Sequence, residues 1–134
     1  MNDRGTVGRP SSLNESWHVL CSSSDLREGG VTVAFDVCFM GQTMRAFAVR
    51  FNGSVFAYLN RCSHVAMELD WQPNRIFDES GSWLVCATHG ALYAPSTGAC
   101  VAGPCRGGLV PIGLREQAGT VQWLASEQLH PVFF

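Results

Sequence analysis

Four residues of this chain have the types and spacing of metal ligands: Cys62 and His64, then Cys86 and His89. Each short segment, Cys62-Ser63-His64 and Cys86-Ala87-Thr88-His89, offers one thiolate and one imidazole. Two chemistries accept such a set. One is tetrahedral zinc, although zinc sites with these donors usually pair Cys with Cys and His with His at wider spacing. The other is a two-iron cluster with one iron on two thiolates and the other on two imidazoles. A mixed loop suits the second. If it lies along the iron–iron axis, it gives its Cys to one metal and its His to the other.

Loops of this kind need strand ends to hold them. Residues 31–40 alternate, with Val31, Val33, Phe35, Val37 and Phe39 on one face. Gly41-Gln42 reads as a turn into a second strand, where Phe47, Val49 and Phe51 alternate with Ala46, Ala48 and Arg50. Asn52-Gly53 is the strongest hairpin signal, and residues 54–59 form the return strand. The first candidate loop follows directly. A turn at Asp78-Glu79-Ser80-Gly81 leads to a short strand at 83–86, which delivers the second loop. Residues 109–114 and 121–124 read as two final strands joined through Ala118-Gly119. A helical turn over 72–77 is doubtful because of Pro73. Residues 17–21 are a short apolar segment, and residues 1–16 are expected to be a flexible tail. Short strands joined by turns predict an all-β antiparallel domain.

Composition narrows the function. A chain of 134 residues suits one domain, here 17–134. The formal charge is −2, and all nine basic residues are Arg, with no basic stripe. That argues against a nucleic-acid partner. No apolar run approaches the ~18 residues of a membrane span, and no secretory pattern is readable. A cytoplasmic, reducing location is therefore expected. There the six cysteines suit metal binding or buried thiols better than a disulfide framework. Cys21 and Cys38 are expected to be small buried hydrophobes; Cys100 and Cys105, which flank Gly103-Pro104, are read as simple thiols, with a disulfide under oxidation or a shield over the site as the alternatives. His18 and His130 lack neighbouring donors and are expected to pack or face solvent. Trp17, Trp71, Trp83 and Trp123 read as core or edge aromatics. Glu68, Asp70, Asp78 and Glu79 read as a solvated insertion.

Cys62-x-His64 followed by Cys86-x-x-His89-Gly90 resembles the signature of the Rieske iron–sulfur family. Tyr93, Thr97-Gly98 and Gly103-Pro104 extend the likeness in the family's order, over roughly residues 55–108. The interval between the two loops is somewhat long, suggesting an insertion at 71–82. Met67 and Thr88 stand where the respiratory type carries an extra disulfide, and Ala91 replaces its serine. The chain is therefore similar to the soluble ferredoxin type that serves aromatic-ring dioxygenases.

This resemblance implies a Rieske-type antiparallel β sandwich with a cluster-binding subdomain inserted at about 60–108. It implies one [2Fe-2S] cluster, with Cys62 and Cys86 on the inner iron and His64 and His89 on the outer. Gly90 would allow close backbone approach, the Tyr93 hydroxyl would bond a cysteine sulfur, and Pro104 would stiffen the cover. Val65, Ala66, Met67, Leu92 and Pro104 would form an apolar docking patch. The implied function is one-electron transfer from a reductase to an oxygenase or other oxidoreductase, with no organic substrate of its own. It is not expected to be an enzyme alone, since no second, catalytic iron domain is expected. Two ferric ions, two sulfides and two thiolates cancel to a neutral core. Histidine ligation thus raises the potential, to roughly −150 to +300 mV. Ala91 cannot donate a hydrogen bond to a sulfide, so the low end is expected. The iron-bound imidazoles should titrate lower when oxidised, so the potential should fall as pH rises. The alternatives are a redox-sensing or structural metal module acting through a protein partner, and a relative that keeps the fold without the cluster.

Overall fold

Where the sequence alternates strongly, the chain pairs antiparallel. The computed structural model describes residues 15–61, 68–70, 74–88, 90–105 and 107–132. Among these the chain runs β1 (Ser16–Ser22), a 3-10 turn (Ser23–Asp25), β2 (Val33–Phe39), β3 (Gln42–Phe51) and β4 (Ser54–Leu59). Then come β5 (Leu84–Val85), β6 (Leu92–Tyr93), β7 (Cys100–Ala102), β8 (Pro111–Ile112), β9 (Leu114–Gln117), β10 (Thr120–Ala125) and β11 (Leu129–Pro131). They form three sheets: β1-β10-β9, β11-β2-β3-β4-β8 and β5-β6-β7. Every strand pairing is antiparallel. The all-β architecture matches the sequence reading. Among the described residues no helix is long and apolar enough to cross a membrane.

β3 explains how one sheet supports two cores. Ala46, Phe47, Ala48 and Val49 are all buried, so the strand is covered on both faces. The small residues Ala46 and Ala48 face the β1-β10-β9 sheet, packing with Val37, Ala57, Leu59, Ile112, Val121 and Trp123. The large residues Phe47 and Val49 face the other way, with Tyr58, Leu69, Ile76, Leu84, Cys86 and Tyr93. A period-two pattern of large and small apolar residues thus reads as a central strand between two layers.

The turns refine the register. Asn52 and Gly53 take φ of 53° and 80°, the hairpin the sequence indicates. The preceding turn sits at Met40-Gly41 rather than Gly41-Gln42: φ is positive at Met40 and Gly41, and Gln42 already pairs with Phe39. Ser16 belongs to β1, paired with Ala125, rather than to a tail. The rest of that tail, residues 1–14, lies outside the described residues. The single strand expected at 109–114 is two. β8 pairs with β4, β9 pairs with β10, and the chain changes sheets at Gly113, whose carbonyl accepts Leu124 N–H at 2.9 Å. β6, β7 and β11 carry too few residues to show a period.

Candidate functional site

The second candidate loop is a tight hairpin extension of β5 and β6. Leu84 pairs with Tyr93 and Val85 with Leu92, bringing Cys86 and Ala91 opposite each other. Cys86 N–H donates to Ala91 O at 2.9 Å, and Gly90 N–H to Cys86 O at 2.8 Å. Cys86 is 0% exposed, while Ala87, Thr88 and Gly90 are exposed. The loop therefore has a buried thiol at its base and a solvent-facing tip. Gly90 has φ of 75°, a left-handed conformation that favours glycine, and among the described residues no atom lies near a would-be Cβ. Tyr93 is 0% exposed and shares the apolar cluster with Cys86.

The first candidate loop is described at its base. Asn60, 5% exposed, accepts Leu69 N–H on Oδ1 at 2.7 Å and donates through Nδ2 to Asp70 Oδ1. Asp70 Oδ2 in turn accepts Asn74 N–H at 2.9 Å. The segment between Asn60 and Leu69 is thus closed at its neck. Asp70 is a clamp and not a solvated acid, a correction to the reading of the acidic stretch. Asp78 likewise accepts from Ser80 Oγ at 2.7 Å and from Ser82 N–H at 3.3 Å, organising the turn before β5. Asn60 and Asp70 escaped sequence reading because nothing local marks two polar residues ten positions apart as a pair.

Among the described residues, one backbone hydrogen bond joins the loops: Ala87 N–H donates to Leu69 O at 3.0 Å. The base of the first loop therefore lies against the second, beside Cys86. Cys62, His64, Val65, Ala66, Met67, Trp71 and His89 lie outside the described residues. Among the described residues no group of three His, Cys, Asp or Glu forms a metal site; three of the four candidate donors are not among them. A buried thiol at the base of the second loop, which touches the closed base of the first, fits a thiolate-held cluster.

A strap crosses the second loop. β7 pairs with β6, Leu92 opposite Ala102 and Tyr93 opposite Cys100, with a register shift between them. The chain then turns at Gly103-Pro104, with Pro104 exposed. A Cβ on Gly103 would stand 2.8 Å from Ala91 Cα and 3.1 Å from Gly90 O, so only glycine permits this approach. Cys105 returns beside Cys100 and the two form a disulfide, Cα–Cα 5.9 Å. The alternative read from the sequence, a disulfide, thus holds in place of simple thiols: the reversal at Gly103-Pro104 folds the second cysteine back onto the first. Of the expected docking patch, Leu92 is half-buried and Pro104 exposed.

Beneath the site, Tyr58 donates its hydroxyl to Pro95 O at 2.7 Å, and burial pushes its pKa up to about 12. The remaining candidates have structural surroundings. His18 stacks near Trp123 at 5.4 Å and lies 2.9 Å from Ser16 Oγ. Trp17 lies under the Arg115 guanidinium at 4.3 Å, Trp123 is core, and Trp83 is partly exposed. Cys21 and Cys38 are half-buried rather than fully so, and burial pushes the Cys21 thiol up.

Comparison with known proteins adds three findings. The Rieske [2Fe-2S] domain matches residues 16–116. Among solved structures, the ferredoxin of carbazole 1,9a-dioxygenase from Nocardioides aromaticivorans IC177 superposes with a TM-score of 0.64 at 25% identity, covering 81% of this chain and 96% of that one. A complex of reduced oxygenase and oxidized ferredoxin in carbazole 1,9a-dioxygenase gives a TM-score of 0.62 at 22% identity, covering 80% and 91%. No curated protein matches.

Proposed function

From the premise that this chain belongs to the Rieske [2Fe-2S] domain family, we propose that it is a ferredoxin-type one-electron carrier whose acceptor is an oxygenase. Its cofactor is a [2Fe-2S] cluster. Cys62 and Cys86 would hold the inner iron, and His64 and His89 the outer. The cluster supplies a site that gains and loses one electron. The chain's own residues hold and shield it. Cys86 sits at a water-excluded base, and its loop is closed by the Ala91 carbonyl. Asn60 and Asp70 close the other loop. Tyr93 would tune the potential from its buried position, and Pro104 would stiffen the strap. Gly90 keeps the loop tip in its positive-φ turn. Residues 60–108 would act as the cluster-binding subdomain of a single domain.

The observation that carries this reading is the Ala87–Leu69 hydrogen bond, which sets the base of the first loop against the loop that carries Cys86. The oxygenase as acceptor rests on the likeness to a dioxygenase ferredoxin and to a complex of an oxygenase with a ferredoxin; a reductase as donor is what the resemblance of the motif implies. Work in the cytoplasm is part of the same proposal.

Iron and acid-labile sulfide analysis of anaerobically purified protein tests the ligand assignment. Two irons and two sulfides per chain are expected, lost in Cys62→Ser and in Cys86→Ser. Full iron content in either variant would remove that residue from the ligand set.

A further inference from the structure

We propose that the Cys100–Cys105 disulfide is a thiol-exchange site, and that its reduction by a dithiol reductant frees the strap from the second ligand loop. This rests on the cytoplasmic, cluster-binding reading above. Disulfides in a reducing cytosol are usually transient, catalytic or redox-sensing, so a bridge in such a protein calls for a role beyond stability.

The geometry supplies one. Cys100 is fixed in β7 opposite Tyr93, while Cys105 lies past the turn, with its N–H donating to Gly103 O at 2.9 Å. Both cysteines pack against the cluster that contains Cys86, Ala91 and Tyr93. Between them, residues 101–104 are exposed. β7 is three residues long and pairs with β6 at only two positions, with a register shift between them, so the bridge is the firmest tie on this segment. What it ties down is Gly103, set against Gly90 O and Ala91 Cα. Those residues close the Cys86 loop through the Cys86–Ala91 and Gly90–Cys86 hydrogen bonds. Opening the bridge therefore removes the cover from the loop that carries Cys86. Half-buried sulfurs beside an exposed turn leave room for an attacking thiolate.

The exchange is balanced. One thiolate of the reductant attacks a bridge sulfur and forms a mixed disulfide, and its second thiol displaces the protein. Two electrons and two protons pass to Cys100 and Cys105, which end as thiols, and the reductant ends as a disulfide.

The test uses the iron-loaded protein, dithiothreitol as reductant, and an iron chelator. Alkylation before reduction should leave Cys100 and Cys105 unmodified; alkylation after it should modify both. Dithiothreitol should speed iron release, read by formation of the iron–chelator complex, about tenfold. It should also speed amide exchange at Cys86 and Gly90. The double variant Cys100→Ser with Cys105→Ser should release iron at the fast rate without reductant and show no further response. Alkylatable thiols at both positions before reduction would overturn the proposal. So would equal release and exchange rates with the bridge open and closed. A dithiothreitol response that persists in the double variant would mean attack on the iron itself, and would also overturn it. Protein without iron–sulfur absorption would sink the carrier reading instead; the amide-exchange arm needs no iron and still decides the strap.

Discussion

The two cores of this molecule are held together differently. Around the core between the β1-β10-β9 and β11-β2-β3-β4-β8 sheets, long ladders within the sheets carry the structure: β2 and β3 pair over seven residues, β3 and β4 over six. Arg50 adds a cross-tie. Its guanidinium meets Glu116 at 3.2 and 2.6 Å and donates to the carbonyls of Leu26, Gly53 and Ser23 at 2.7, 3.2 and 3.2 Å. On the other side, β5 and β6 are two residues each. There the work passes to single contacts: Asn60 on Leu69, Ala87 on Leu69, Gly103 on Ala91, and one disulfide. The first half is a platform that averages over many interactions. The second is a site in which each contact has a position to hold.

If that division is real, platform variants change stability and leave the redox centre alone. Trp123→Ala, at a buried position of the first core, should cost about 3–5 kcal/mol in denaturant unfolding. The visible spectrum and potential of the folded fraction should stay unchanged. A shifted potential would mean that the two halves are coupled.

Arg50→Ala should cost about 2–3 kcal/mol, because it leaves Glu116 and three carbonyls without their donor. It also carries a pH signature. The Arg50 guanidinium holds the Glu116 carboxyl below its ordinary value of 4.5. That carboxylate thus contributes stability above about pH 4.5, and the contribution is lost as pH falls through the lower folded value. Thermal melts from pH 7 to pH 3 should show a shallower acid decline in Arg50→Ala than in wild type. Parallel curves would contradict the pairing.

Legibility in the sequence divides along the same line. The platform was readable from periodicity, since β2, β3 and β4 alternate over enough residues to show a face, and Asn52-Gly53 fixes their register. Two of its misreadings are shifts of one residue, at the Met40-Gly41 turn and at Ser16; the third, the strand at 109–114, came from a sheet change at Gly113 that alternation cannot register. The site was readable only from motif: Cys86, Gly90, Tyr93 and Gly103-Pro104 stand out by type and spacing, while β6 and β7 are too short for any period. Asn60 and Asp70, and the Cys100–Cys105 bridge, are long-range or turn-dependent proximities. Residue types alone do not carry them until the chain is folded.

On the site side, effects on stability should be smaller and effects on the centre larger. Asn60→Ala removes the clamp at the neck of the first loop. It should cost about 1–3 kcal/mol through the Leu69 N–H and Asp70 groups left unsatisfied. It should also weaken iron retention about tenfold in a chelator competition. Unchanged retention would mean that the loop holds its shape without the clamp.

The smallest effect is expected at Ala91. It is buried beneath Gly103, next to the loop. Ala91→Ser would add a hydroxyl able to bond a cluster sulfur. A bond worth about 1 kcal/mol corresponds to roughly 40 mV for one electron. Protein-film voltammetry should show a rise of that order with little change in melting temperature. No rise would place the hydroxyl out of reach of the cluster.

The central claim, a one-electron Rieske centre, is tested most directly by a potentiometric titration followed by EPR. The account predicts reversible reduction with a slope of about 59 mV per decade and a rhombic signal of low average g. Zinc in place of iron, with no EPR signal at any potential, would contradict it and leave the family likeness as one of fold alone.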